Sequence, residues 1–164
     1  MVPEIKRILY ATDLSENARY AFSYAASLAD RYDAQMTVLH VLEDVSTTFN
    51  MHISGYVGAD EWARLQAEKE ETLLNTIAER LNAFCSEAKE RMEQCKFIVE
   101  KILVVKGVPA LEILNQAEAG DADMIVIGTH GYGVFKDALM GGTARRVVRR
   151  SPVPVMVVRL PEND

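Results

Sequence analysis

The sequence predicts an open, doubly wound α/β fold with a sheet of five parallel strands. Five short apolar runs rich in Val and Ile recur along the chain, and stretches with helical spacing of apolar residues lie between them. The fourth run is almost entirely apolar, which is typical of a parallel strand covered on both faces. The resulting order, β-α-β-α-β-α-β-α-β, favours a sheet with helices on both sides.

Each predicted strand is a run of residues that favour extended structure, bounded by turn or helix signals. The five predicted strands are Ile5–Ala11, Gln35–Val41, Phe97–Val105, Asp123–Gly128 and Val153–Leu160.

Four helices are predicted between the strands. Ser15 is a suitable N-cap for the first helix, because its hydroxyl can accept a hydrogen bond from a first-turn amide. A long helix is predicted from about Asp60 to Met92, where apolar residues recur near every 3.6 positions. Pro109 suits the first position of the third helix. The last helix is predicted from Gly142 to Arg150, ending before a Ser-Pro pair.

Composition indicates one ordinary globular domain covering residues 1–164. Hydrophobic residues make up 49% and charged residues 26% of the chain, and no apolar run approaches the roughly 20 residues that span a bilayer. The net charge of −6 argues against broad nucleic-acid binding, which needs a basic surface. Cys85 and Cys95 lack metal-ligand spacing and are interpreted as free thiols in a reducing compartment. We therefore expect a cytoplasmic protein without a membrane segment.

A glycine-rich segment follows the fourth predicted strand. It begins Gly128-Thr129-His130-Gly131, and Gly141-Gly142-Thr143-Ala144 then leads into the last helix. Glycines allow close approach of the backbone to a ligand, and a helix start offers unpaired N–H groups to an anion. Phosphate binding and a purely structural role in tight turns are both compatible with these residues. The spacing matches neither a P-loop nor the dinucleotide fingerprint.

Several motifs in one order resemble the universal stress protein family. Gly128, Gly131 and Gly141, separated by two and nine residues, resemble its nucleotide-binding motif. The resemblance extends over nearly the whole chain, through the segments Ile8–Ser15, Leu39–Val41, Gly107–Pro109 and Ser151–Val155.

The resemblance implies a flavodoxin-like or Rossmann-like sheet with strand order 3-2-1-4-5, and membership of the ATP-binding branch of the family. By position, Asp13 would contact the ribose, although it could instead cap the first helix. Ala11 and Val41 would line the adenine pocket. Other residues would wrap the phosphates or complete the site: Thr12, Ile127, Gly128, His130, Gly131, Gly141, Gly142, Thr143 and Ala144.

The side-chain contacts expected at Gly142 and at His130 differ from those of the other predicted site residues. The family places Ser or Thr directly after the third glycine of the motif, whereas this chain has Gly142 there and Thr143 one residue later. That shift affects a side-chain contact but leaves the backbone N–H donors in place. His130 is a candidate phosphate contact or general acid or base, unless it faces solvent.

The leading hypothesis is a homodimeric regulatory module of the stress response that binds ATP, or ADP or AMP, with Mg²⁺ or Mn²⁺ bridging the phosphates. The dimer would form through the last strand, Val153–Leu160, whose apolar edge would otherwise be exposed to aggregation. The resemblance implies the same interface. Two alternatives stay open: a slow ATPase or nucleotide hydrolase, and an interaction protein that binds no nucleotide.

Overall fold

The computed structural model describes residues 1–43, 55, 58–130 and 140–161. All five strands are parallel and form one sheet in the order β3-β2-β1-β4-β5, which confirms the predicted topology. The strands are β1 Arg7–Ala11, β2 Gln35–Leu42, β3 Ile98–Lys106, β4 Met124–Gly128 and β5 Val155–Val158.

Four helices connect the strands within the described residues, and the first and third begin where Ser15 and Pro109 predict. The Ser15 hydroxyl accepts a hydrogen bond from Ala18 N at 3.2 Å, and Pro109 is the first residue of its helix. The helices are α1 Glu16–Tyr32, α2 Ala59–Arg91, α3 Pro109–Ala119 and α4 Gly142–Arg150. None of the helices in these ranges is both long and apolar enough to cross a bilayer.

The first strand begins later than predicted because the backbone N–H groups at its start donate hydrogen bonds to a side chain. The carboxylate of Asp123 accepts hydrogen bonds from Lys6 N and Arg7 N, both at 2.8 Å. The segment before Arg7 is therefore bonded to the Asp123 side chain. It does not extend the ladder of backbone hydrogen bonds between β1 and β4.

The last strand is shorter than predicted because a turn precedes it. The Ser151 hydroxyl donates to Val153 O at 2.7 Å and accepts from Val153 N at 3.2 Å. These local bonds occupy the backbone of Val153, so regular pairing with β4 starts at Val155.

The core has two parts, one on each face of the sheet. Because successive residues of a strand point to opposite faces, Tyr10 packs under α1 and α2 whereas Leu9 packs under α3 and α4. Both side chains are fully or almost fully buried. The covering of both faces explains why the central strands are nearly continuous apolar runs.

The centre of the first core is an aromatic cluster around Phe22 of α1. Its ring makes edge-to-face contacts with Tyr10, Phe84 and Phe97, with centroid distances of 5.3, 5.0 and 5.6 Å. Cys85 of α2 is buried beside this cluster, and its burial raises the thiol pKa to about 11. The cluster joins α1 to the sheet and to α2.

Truncation of the central ring should be costly. We expect Phe22→Ala to lower the free energy of unfolding by about 3–5 kcal/mol, because it removes buried apolar area and leaves a cavity among three other rings. Leu73→Ala on α2 is the matched control, since Leu73 is 45% exposed. The control should change stability by less than about 0.5 kcal/mol. Urea denaturation of both variants measures the difference, and equal effects would contradict the described core.

Candidate functional site

A cavity of about 330 Å³ opens at the carboxyl ends of β1 and β4. In the observed strand order, β2 and β3 follow on one side of β1, whereas β4 and β5 follow on its other side. The direction of winding therefore reverses between β1 and β4. A crevice at such a reversal point is where open α/β sheets bind ligands. Its volume is within the range of small-molecule sites.

All the predicted site residues that the structure describes line this cavity. They are Ala11, Thr12, Asp13, Val41, Ile127, Gly128, His130, Gly141, Gly142, Thr143 and Ala144. Gly131, the remaining predicted residue, lies outside the described residues.

The cavity also has wall residues that the sequence analysis did not assign to it. They are Ala18, Leu39, Glu43, Pro109, Ile113 and Thr129. Leu39 could have been found from its place near the end of a central strand, since carboxyl ends of parallel strands share one edge. Glu43 had no distinguishing signal in the sequence.

One end of the cavity is formed by the start of α4. Gly141 is its N-cap residue and supplies no side-chain hydrogen bond, and the first turn contains no acidic residue. The amides of Gly142, Thr143 and Ala144 therefore belong to a helix N-terminus that no side chain of the described residues caps. Such an end carries a partial positive charge that favours an anion.

Two glycines at this end are required by contacts within the protein. A Cβ atom at Gly128 would lie 2.6 Å from Asn17 Oδ1, and one at Gly141 would lie 2.9 Å from Thr129 O. A Cβ atom at Gly142 would have nothing within 4 Å. The glycine-rich sequence thus serves close packing at Gly128 and Gly141, while Gly142 faces open space.

Asp13 lies in a turn whose geometry is fixed by side-chain hydrogen bonds. Asp13 Oδ1 accepts from Ser15 N at 2.9 Å, and Thr12 Oγ1 accepts from Leu14 N at 3.0 Å. Leu14 takes a left-handed conformation with φ of 66°. Because Ser15 is the N-cap of α1, Asp13 supports the turn before the cap and its carboxylate lines the cavity.

Thr12 is held from the neighbouring strand as well. Its N–H donates to Leu39 O at 2.9 Å, and its carbonyl oxygen lies 2.8 Å from His40 Nδ1. This contact places His40 at the rim of the sheet and fixes the end of β1 against β2.

Asn17 is a buried polar residue that joins three segments next to the cavity. Its Oδ1 accepts from His130 N at 2.9 Å and from Thr129 Oγ1 at 3.4 Å. Its Nδ2 donates to Val158 O at 3.4 Å, and Thr129 N donates to the same oxygen at 3.0 Å. The start of α1, the residues after β4 and the end of β5 are therefore connected through one amide.

The His130 ring is also placed by this group. Its Nδ1 lies 3.0 Å from Thr129 Oγ1, whereas its Nε2 is buried and has no hydrogen-bond partner among the described residues. The buried Nε2 argues against the interpretation of His130 as a side chain that faces solvent.

Comparison with known proteins identifies the class to which this fold and cavity belong. Universal stress protein MJ0577 of Methanocaldococcus jannaschii is 30% identical over 154 residues, covering 94% of each chain. The solved structure of MJ0577 superposes with a TM-score of 0.71 at 27% identity, covering 98% of this chain and 100% of that one.

Two further solved structures that share the fold are complexes with nucleotides. One is a universal stress protein in complex with cAMP, with a TM-score of 0.62 at 18% identity and coverage of 96% and 98%. The other is the universal stress protein from Archaeoglobus fulgidus in complex with dAMP, with a TM-score of 0.52 at 21% identity and coverage of 96% and 99%.

The model of the universal stress protein family matches residues 4–159 of the chain. The chain therefore belongs to the universal stress protein family.

The different surroundings of two glycines give a direct test of the site's geometry. Gly128→Ala should lower the free energy of unfolding by about 1–3 kcal/mol, because the new methyl group overlaps Asn17 Oδ1, which two hydrogen bonds hold in place. Gly142→Ala enters open space and should change stability by less than about 0.5 kcal/mol. Chemical denaturation measures both, and a neutral Gly128→Ala would show that Asn17 is not packed as described.

Proposed function

We propose that this universal stress protein binds ATP in the cavity and acts as a nucleotide-dependent regulatory module in the stress response. ADP and AMP would occupy the same site with fewer phosphate contacts. The observation that carries the proposal is the N-terminus of α4, which no described side chain caps, at one end of a cavity whose other wall is apolar.

The apolar wall suits a purine base. It is built from side chains at the ends of β1, β2 and β4 and on the inner side of α3: Ala11, Leu39, Val41, Ile113 and Ile127. A flat aromatic base gains from leaving water against such a surface. The cAMP and dAMP complexes of two family members support an adenine nucleotide as the ligand class.

Asp13 is suited to hold the ribose. An ionised carboxylate accepts hydrogen bonds only, and ribose hydroxyl groups are donors. The bond from Ser15 N to Asp13 Oδ1 restrains the carboxylate, and Asp13 is one of the residues that line the cavity.

The phosphates would lie at the start of α4, where the amides of Gly142, Thr143 and Ala144 can donate to their oxygens. The described part of the chain has no cluster of three or more His, Cys, Asp or Glu side chains placed to hold a metal. A bound Mg²⁺ or Mn²⁺ would therefore take its ligands mainly from phosphate oxygens and water, as Mg²⁺ commonly does with nucleotides.

A charge placed at the helix start tests the phosphate position. Gly142→Asp should weaken ATP binding about tenfold or more, because a carboxylate would occupy the region proposed for the phosphates. The fold should tolerate this change, since the position is open and an acidic residue is favourable in the first turn of a helix. Isothermal titration calorimetry measures the affinity.

Gly142→Asn is the matched control, because it adds a side chain of the same shape without the charge. Its affinity for ATP should stay within about threefold of the parent, which is less than 1 kcal/mol. Equal affinities of the Asp and Asn variants would contradict a phosphate site at the start of α4.

We also propose that two copies pair through β5. This strand lies at the end of the sheet order and pairs with β4 along one edge. Pro154 O and Val158 O accept bonds from β4 or the residue after it, and residues of a parallel strand alternate between its two edges. The N–H groups of Val155 and Val157 therefore face the outer edge, where a second β5 related by a two-fold axis could pair with them.

Val157→Pro should convert the proposed dimer to a monomer, because it removes an outward N–H without removing one that faces β4. Val157→Thr keeps the N–H and the branched shape and should leave the dimer intact. Sedimentation velocity distinguishes a species of twice 18.3 kDa from one of 18.3 kDa. A parent protein that sediments as a monomer at high concentration would rule this interface out.

A further inference from the structure

We infer that Tyr20 and Tyr24 of α1 meet the same two residues of a second copy, so that a cluster of four tyrosines completes the dimer contact proposed through β5. The inference rests on that proposed pairing and names the side chains that would add the contact area that β5 by itself lacks. It does not depend on the nucleotide proposed for the cavity.

One flank of α1 lies beside β5. Asn17 is on this flank, because its Nδ2 donates to Val158 O at the end of β5. Residues three, seven and eleven positions further along the helix lie on the same side, since three or four residues complete about one turn. They are Tyr20, Tyr24 and Leu28, and we call these three residues the tyrosine flank.

Contacts of α1 on its other side place the tyrosine flank away from α2. The guanidinium of Arg19 lies 5.7 Å from the centroid of the Phe84 ring of α2. Ala26 O accepts a hydrogen bond at 3.4 Å from the thiol of Cys95, which follows α2. Because α2 covers that side of α1, the tyrosine flank faces the edge of the sheet that β5 forms.

The tyrosine flank presents aromatic surface at this edge. Tyr24 is 41% exposed, whereas Tyr20 and Leu28 are half-buried and pack against the core. The two tyrosine rings meet edge to face at a centroid distance of 5.5 Å. Met156 of β5 packs against the same core, so its side chain is on the same face of the sheet. Large side chains that meet water beside the last strand of a sheet are typical of a contact surface.

The two tyrosines lie level with the middle of β5. Since α1 returns antiparallel to the strands, it starts beside the last residue of β5 and runs back toward the first. The helix covers about 10 Å from Asn17 to Tyr24, and β5 also covers about 10 Å from end to end. Met156 is therefore level with the midpoint between Tyr20 and Tyr24.

The outward N–H groups of β5 set the register of the proposed pairing. In an antiparallel pair, Val155 of one copy would exchange hydrogen bonds with Val157 of the other. The two-fold axis then passes between the two Met156 residues, perpendicular to the sheet, and both copies of α1 lie on the same face. Because the two helices run in opposite directions, Tyr20 of one copy lies opposite Tyr24 of the other.

The spacing of the two helices requires large side chains between them. α1 packs over β4, with β1 and β5 on either side. In the paired sheet the two copies of β4 are three strand spacings apart, which is about 14 Å. Helices in direct contact lie about 8–10 Å apart, so small residues would leave a gap between the two copies of α1. A tyrosine from each helix can bridge that gap.

The tyrosine flank also supplies area that the strand lacks. A stable interface buries roughly 800 Å² on each partner. β5 has four residues, so the pairing of its backbone covers a small part of that area. A buried aromatic side chain contributes about 150–250 Å², which makes Tyr20 and Tyr24 a substantial addition to the contact.

A carboxylate in the tyrosine flank tests the contact. Tyr24→Glu should raise the dissociation constant of the dimer at least about thirtyfold, because the charge would lose water against the Tyr20 ring of the second copy. Tyr32→Glu is the matched control, since Tyr32 is 46% exposed on the same helix but lies two turns further on, beyond the start of β5. Its dissociation constant should stay within about threefold of the parent value. Sedimentation equilibrium measures the constants, and circular dichroism checks that each variant is folded.

Oxidative cross-linking tests which residues meet. Light-driven oxidation that joins neighbouring tyrosine rings should give a covalent dimer, and peptide mapping should find Tyr20 joined to Tyr24. Tyr24→Phe should dimerise like the parent but lose the covalent dimer, because phenylalanine lacks the phenol group. Tyr32→Phe should keep both properties.

A dimer that Val157→Pro disrupts and Tyr24→Glu leaves intact would overturn this inference while leaving the pairing through β5 in place. A covalent dimer that persists in Tyr24→Phe would also overturn it. A parent protein that stays monomeric at high concentration would overturn both the tyrosine contact and the β5 pairing, without bearing on ATP binding in the cavity.

Discussion

A buried amide must find hydrogen-bond partners, and the side chain of Asn17, a residue that is 8% exposed, finds them in two segments that are distant in sequence. The oxygen fixes the two residues after β4, and the nitrogen contacts the last residue of β5. Residue 128 has to be glycine because its Cβ would overlap that oxygen. The end of the cavity nearest α4 is therefore built around one side chain of α1.

The same constraint connects the proposed ligand site to the proposed interface. Val158 O accepts from both Asn17 Nδ2 and Thr129 N, so the end of β5 is attached to the residues that precede α4. Gly141 N in turn donates to Thr129 O at 2.7 Å, which positions the start of α4 on the other side. A ligand that orders these residues would also stabilise the end of the edge strand, a physical basis for a nucleotide-dependent regulatory role.

Local rules in the sequence were sufficient for most of the fold. The hydroxyl of Ser15, the ring of Pro109 and the alternation of apolar runs with helical periods predict the helix starts and the order of strands, because each acts within a few residues. The strand ends were less accurate where a distant side chain intervenes. The Asp123 carboxylate accepts hydrogen bonds from the amides of Lys6 and Arg7, which lie 117 and 116 positions away in the sequence.

The candidate site was predictable from the glycine spacing and from the family resemblance. The hydrogen bonds that hold its residues in place were not predictable. In the sequence, Asn17 does not differ from an ordinary polar residue of a first helical turn. Its hydrogen-bond partner His130 lies 113 positions away. The burial of His130 Nε2 likewise depends on three-dimensional packing, which no local pattern reports. The role of Gly131 stays a prediction.

The proposed function places the phosphates of a nucleotide against the amides at the start of α4. Titration of ¹⁵N-labelled protein with ATP, followed by amide NMR, tests it most directly. We expect the amide resonances of Gly142, Thr143 and Ala144 to move downfield and to move further with ATP than with adenosine. If those three amides are unchanged while ATP shifts resonances elsewhere, or shifts none, the site proposed for this family member is wrong.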